Sequence, residues 1–206
     1  AKNVKTINEL ARGPKLVGEI AKYFLGRRSI LEWGPTLVYC FWHSDETGRN
    51  ADLQVSFTPA SYKEGLQAWL DDEPGFTLAT WQQRPESLGY VRAKSSDPFA
   101  KPLIQPNYLA HEEDRRVLLA GIKLSRRLMN TEPLAPYFDY EGYPGVHIQN
   151  DDELLDVARQ RSTTVYHLMG TCRMAPATDP TAVVDDQLRV HGMQNLRVID
   201  ASIMPT

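Results

Sequence analysis

Cysteine is scarce, with Cys40 and Cys172 the only two in 206 residues. Two thiols make no disulfide framework, so a reducing compartment is expected, and a cytoplasmic location with it. A charge excess is lacking too. Lys and Arg number 23 against 26 Asp and Glu, for a net charge of -3. That removes the electrostatic argument for nucleic acid or an anionic membrane surface as partner. No apolar run nears the ~20 residues needed to cross a bilayer. The start, "AKNVKTINEL", has no apolar stretch of a secretory leader. Several chemical signatures are missing as well. There is no G-x-S-x-G, no P-loop and no G-x-G-x-x-G, so the chain carries no phosphate cradle of its own. An initiator Met is absent, and the chain stops at "RVIDASIMPT" without a polar tail. A fragment of a longer protein is expected.

What is present suits a soluble globular chain of one domain or one and a part, with 42% hydrophobic and 24% charged residues. Residues 5–28 read as helical pieces with Leu16, Ile20, Ala21, Phe24 and Leu25 on one face, and Gly26 with two arginines as a stop. The period then changes. Residues 36–44, 52–60, 75–83 and 87–95 read as strands, the second with Leu53, Val55 and Phe57 alternating against Gln54, Ser56 and Thr58. They predict a sheet of at least four mostly antiparallel strands, with 61–74 as a long connection. Prolines at 98, 102 and 106 keep 97–108 out of any helix. Residues 111–129 form the clearest helix, acidic at its start and basic at its end, with Val117, Leu118, Ile122, Leu128 and Met129 as its buried stripe. Residues 150–161 read as a second helix capped by Asn150, and 195–203 as a strand.

Candidate chemistry gathers in "TTVYHLMGTCRMAPATDP", residues 163–180. The apolar, β-branched "TTVY" reads as an extended segment entering the core, and Gly170 allows a sharp change of direction after it. A histidine there can line a cavity and exchange a proton near neutral pH. On local sequence alone the favoured reading is a core histidine satisfied by a backbone carbonyl. A zinc set from Cys40, His43, His167 and Cys172 is disfavoured, because Cys40 and His43 point to opposite faces of one strand, and no metal site is expected. A thiolate pair of Cys172 with His167 lacks any supporting pattern; Cys172 reads as a small buried apolar residue. His43, His111, His147 and His191 lie in polar or turn contexts.

The run "TVYHLMGTCRM…DPTAVVDDQLRVHGMQNLRVIDASIMPT" resembles the C-terminal block of the glucose–methanol–choline (GMC) flavin-dependent oxidoreductases. "RPESLGYVRAKSSDPFAKPLIQPNYL" at 84–109 is similar to that family's stretch preceding its usual helix. The likeness covers most of 75–206, and 5–74 loosely. It implies an α+β fold: a mostly antiparallel sheet flanked by helices, roofing the flavin, with a C-terminal segment that belongs to an FAD-binding domain. The implied division is 1–34 as a helical connecting segment, 35–165 as the substrate-binding domain, and 166–206 as the active-site loop and returning strand. His167 takes the place of the family's base, which accepts the hydroxyl proton of an alcohol while hydride passes to FAD. Asp200 and Ala201 take the places of the pair that approaches the cofactor, where a small residue lets the backbone come close. The partners implied are an alcohol and an N-terminal FAD-binding region of the same protein, so this chain alone is expected to be inactive. Two positions depart from the pattern: Leu168 stands for a proline and Ala175 for a glycine. The second active-site residue is expected past Thr206. Two alternatives stand beside this reading, a non-catalytic ligand-binding module and a lyase built on the same fold.

Overall fold

The structure, a computed structural model, describes residues 1–34, 36–45, 50–63 and 69–205. The chain divides into two compact units. The first comprises 1–85 and 111–161, the second 86–110 and 162–206.

The first unit opens with two helices, α1 (Ile7–Leu10) and α2 (Gly13–Phe24). A three-stranded antiparallel sheet follows, ordered β1 (Val38–Trp42), β2 (Leu53–Thr58), β3 (Thr77–Gln82). The alternation in β2 sets its packing. Leu53, Val55 and Phe57 share a face with Trp42, Cys40 and Val38 of β1 and with Gln82, Thr80 and Leu78 of β3. Helix α3 (Glu112–Met129) lies on that face, and its Val117 and Leu124 join Leu53 and Val55 in the core. Gly121 sets the helix–sheet distance. A Cβ there would run into Thr80 Oγ1 and stand 2.8 Å from Leu53 Cδ1. The helix is capped by His111, whose Nδ1 accepts the Glu113 N–H at 3.2 Å. Helix α4 (Asp151–Arg161) buries Leu154, Leu155 and Ala158, and Asn150 Oδ1 caps it by accepting the Asp152 N–H at 2.8 Å. The loop between α3 and α4 is held by Arg126, which forks onto Glu141 at 2.7 and 2.9 Å and donates to the carbonyls of Gly145 and Ile148.

The α+β reading, with antiparallel strands and flanking helices, is the architecture observed. Four details differ. The run 87–95 does not add a fourth strand: only Tyr90–Arg92 is extended (β4), and it pairs with β5 (Leu103–Gln105) in a separate two-stranded ribbon. Gly89 is why the ribbon can start there, since a Cβ would collide with the Gln105 carbonyl and the Pro106 backbone. The run 195–203 is not a strand but a single antiparallel bridge, Arg189–Arg197, followed by a 3-10 turn at Ala201–Ile203. The apolar stripe of α2 is not buried: Phe24 is 81% and Leu25 71% exposed. What α2 buries is Glu19, which takes Lys22 Nζ at 2.5 Å and the Ile30 N–H at 3.1 Å, while the Ser29 hydroxyl donates to its carbonyl at 2.9 Å. The core face of the sheet is already filled by α3, so α2 attaches through polar groups. The predicted stop after α2 does form: Gly26 at φ +65° donates to the Tyr23 carbonyl and Arg27 to that of Lys22. Finally, "TTVY" does not enter the core, with Val165 and Tyr166 exposed. Of the long connection 61–74, residues 64–68 lie outside the described residues.

The second unit has little regular structure beyond its ribbon. Its C-terminal part is cross-tied by single bridges, Met174–Val184, Val184–Val190 and Arg189–Arg197. Val184, fully buried, sits at the centre of the first two. The turns share one device: a side-chain oxygen accepts the N–H two residues on. Asp97 does so for Phe99 (3.0 Å), Thr164 for Tyr166 (3.0 Å), Asp179 for Thr181 (2.8 Å), Asp185 for Gln187 (2.9 Å) and Asp200 for Ser202 (2.8 Å). No helix among the described residues is long and apolar enough to cross a membrane.

Candidate active site

His167 lies in the second unit with its side chain exposed. It follows Tyr166, at φ +61°, and precedes Gly170, at φ +85°. Gly170 takes that conformation without steric cost, but a bulky aromatic residue there is strained. Two left-handed residues within five positions fold the chain into a tight excursion, and the imidazole stands on it. Among the described residues the ring has no hydrogen-bond partner, so it is not the core histidine satisfied by a carbonyl. Half-buried His191 does make such a carbonyl contact, its Nε2 3.0 Å from the Ala175 carbonyl oxygen.

Just past this excursion the chain is anchored. The Cys172 N–H donates to the Ser202 carbonyl at 2.9 Å, and the Met174 N–H to that of Ile203 at 2.8 Å. These two bonds lay the segment after His167 alongside the turn that begins at Asp200 and Ala201. All three expected site residues therefore sit on neighbouring segments of one unit, without a direct hydrogen bond between His167 and Asp200 among the described residues. Asp200 is spent locally. Hydrogen bonds from the Ser202 hydroxyl and then its N–H hold the Asp200 carboxyl below the usual range. Ala201, the first residue of the 3-10 turn, is exposed, and its N–H finds no acceptor among the described residues.

A cleft of about 430 Å³ opens on the same stretch, lined by Gly89, Tyr90 and Val91 from the ribbon and by Gly170, Thr171 and Cys172. Tyr90 and Thr171 are its polar walls, and neither was singled out in the sequence. Nor was Thr164, although a threonine two residues before an aromatic in a turn is a legible signal. Around the site the acids act as turn-formers. Asp179 is held low by the Thr181 hydroxyl and N–H, with Arg173 adding charge. Burial pulls the Asp185 carboxyl up, but bonds from the Arg189 and Gln187 backbones and the Arg189 guanidinium outweigh it, and the net direction is down. Cys172 is only partly buried, and no cluster of three or more metal-ligating side chains occurs among the described residues.

An alcohol dehydrogenase (acceptor) of Pseudomonas putida is 44% identical over 154 residues, covering 75% of this chain and 27% of its own length. An oxygen-dependent choline dehydrogenase of Acinetobacter baumannii is 45% identical over 166 residues, covering 80% of this chain and 29% of its own. The chain thus spans less than a third of the length of these curated relatives. Among solved structures, pyridoxine 4-oxidase from Mesorbium loti superposes with a TM-score of 0.74 at 28% identity, over 83% of this chain and 33% of that one. Formate oxidase matches in fold alone, with a TM-score of 0.78 at 22% identity over 97% of this chain and 39% of that one. A formate oxidase of Aspergillus oryzae has been solved for the modification of its FAD, so FAD is the cofactor of that neighbour.

Residues 85–206, more than half of the chain, match the model of the GMC oxidoreductases, and the chain belongs to that family.

Proposed function

We propose that this chain is the C-terminal part of an FAD-dependent oxidoreductase acting on the CH–OH group of an alcohol, with His167 as the base. The observation that carries the reading is the exposed, unpartnered imidazole of His167, on an excursion tied by Cys172 and Met174 to the Asp200–Ala201 turn. The groups present fit a flavin nearby. An unpaired Ala201 amide and small side chains at Gly170 and Ala201 leave backbone open to close approach by a planar or anionic cofactor. Most of the cofactor site would come from a preceding region of the same protein, and this chain alone is inactive. When bound, FAD would supply the acceptor for the hydride released from the alcohol carbon.

The residues of this chain do the remaining work. His167 accepts the hydroxyl proton on a ring nitrogen, which lets the C–O bond become a carbonyl as the hydride leaves. Its exposed position gives a substrate hydroxyl access to that nitrogen. Asp200 holds the turn that carries Ala201, and its depressed carboxyl stays ionised and unavailable as a competing acid. The names of the relatives support alcohol oxidation over the lyase and binding-module readings. In the full-length protein, His167→Ala is expected to keep the flavin absorbance while turnover falls by about 10²–10⁴-fold. Unchanged turnover removes His167 from the chemistry.

A further inference from the structure

From Ser162 to Thr171 the described structure contains one hydrogen bond, the Tyr166 N–H donating to Thr164 Oγ1 at 3.0 Å. Tyr166 is exposed and left-handed at φ +61°, a conformation that an aromatic residue adopts only when something holds it. No burial holds it: Val165, Tyr166, Leu168 and Met169 are all exposed. The next anchor is the Cys172–Ser202 bond, five residues beyond His167. On the upstream side, the direction in which the chain enters His167 depends on a single hydroxyl.

We propose that Thr164 is a positioning residue for His167: its hydroxyl fixes the left-handed Tyr166 and thereby aims the imidazole. This rests on His167 being the base. Released from Thr164, Tyr166 relaxes toward its ordinary backbone region, and the rotation passes directly to the next Cα. A misplacement on the scale of 1 Å at a proton acceptor is enough to cost rate. Thr164 itself touches no substrate and transfers no proton. The half-buried threonine is placed for this work better than serine, because its β-branch restricts χ1 and limits the hydroxyl to fewer directions.

The test uses the full-length, flavin-loaded enzyme. Thr164→Val keeps the side-chain shape and removes the acceptor, and Thr164→Ser restores the acceptor. Thr164→Val is expected to lower kcat by about tenfold with KM and flavin content unchanged, and Thr164→Ser to recover most of that loss. The pH dependence of kcat/KM should keep the limb that His167→Ala abolishes, at a lower plateau. In a His167→Ala background, Thr164→Val should do nothing further. Wild-type kcat in Thr164→Val overturns the proposal, as does an equal loss in both backgrounds or a loss of flavin with it. If His167→Ala alone leaves turnover intact, the assignment of the base has failed and Thr164 falls with it, a result distinct from the others.

Discussion

The two units are stabilised by different means. Among the described residues, every fully buried apolar side chain except Val184 lies in the first unit, in the sheet, in α3 and α4, or next to them. Among its described residues the second unit substitutes backbone bridges and six side-chain-to-backbone turns for a core. Burial gives the first unit a rigid layer that tolerates little volume change. Directional bonds give the second unit a particular path of the backbone, with side chains left facing outward. Under the function proposed above, the second unit presents an imidazole and an open backbone, which calls for the latter, and functional groups gather on such loops.

The contrast can be broken in several ways. The largest expected effect is in the first unit. Leu53→Ala, at a side chain 0% exposed, should cost about 2–5 kcal/mol, read by thermal unfolding of the full-length protein; a loss within the range of a surface substitution would show that β2 is not the core. Next comes Val184→Ala, which truncates the one fully buried apolar side chain among the described residues of the second unit and should cost about 1.5–3 kcal/mol. Its effect should appear first as proteolytic cleavage within 172–204. Cleavage instead within the first unit would deny the second its independence.

Acid acts on both units. Asp179, Asp185 and Asp200 of the second have carboxyls held below their ordinary values in the folded protein, as do Glu19, Asp72 and Glu113 of the first. The contribution of the three aspartates of the second unit is therefore complete above the unfolded value of about 3.9 and is lost as pH falls through the lower folded values. With one fully buried apolar side chain among its described residues, the second unit has little core to offset that loss, so pepsin below about pH 4 should cut it ahead of α3 and the sheet. The smallest effect belongs to the surface of the first unit. Asp156→Asn breaks an exposed ion pair with Arg159 (2.8 Å) and should change stability by less than about 0.5 kcal/mol.

The difference between the units also explains what could be read from sequence. The elements of the first unit announce themselves by period. Helix α3, α4 with its Asn150 cap, and strand β2 were legible as elements by their 3.6- or 2-residue spacing, but not all of their burial was: in α3 Val117 and Met129 are buried as expected while Gly121 and Leu124, not Leu118 and Ile122, complete the face, and in β2 Ser56 and Thr58 are buried besides Leu53 and Val55. The exposed stripe of α2 misled for the same reason, since apolar spacing says which side chains share a face and not whether the face is covered. In the second unit, "YVR" and "NLRVID" have strand composition, but pairing depends on partners that composition does not name. There the informative residues were Asp and Thr at turn starts. The roles proposed for His167, Asp200 and Ala201 come from a forty-residue resemblance and not from local physics. Thr164 was open to local physics and went unread.

The most direct measurement is the pH dependence of flavin reduction by an alcohol in single turnover, wild type against His167→Ala, in the full-length enzyme. The account predicts a fast reduction with a pH-dependent limb in the wild type, and in the variant a reduction about 10²-fold slower or more with that limb gone. A variant that reduces its flavin at the wild-type rate with the limb intact would contradict it.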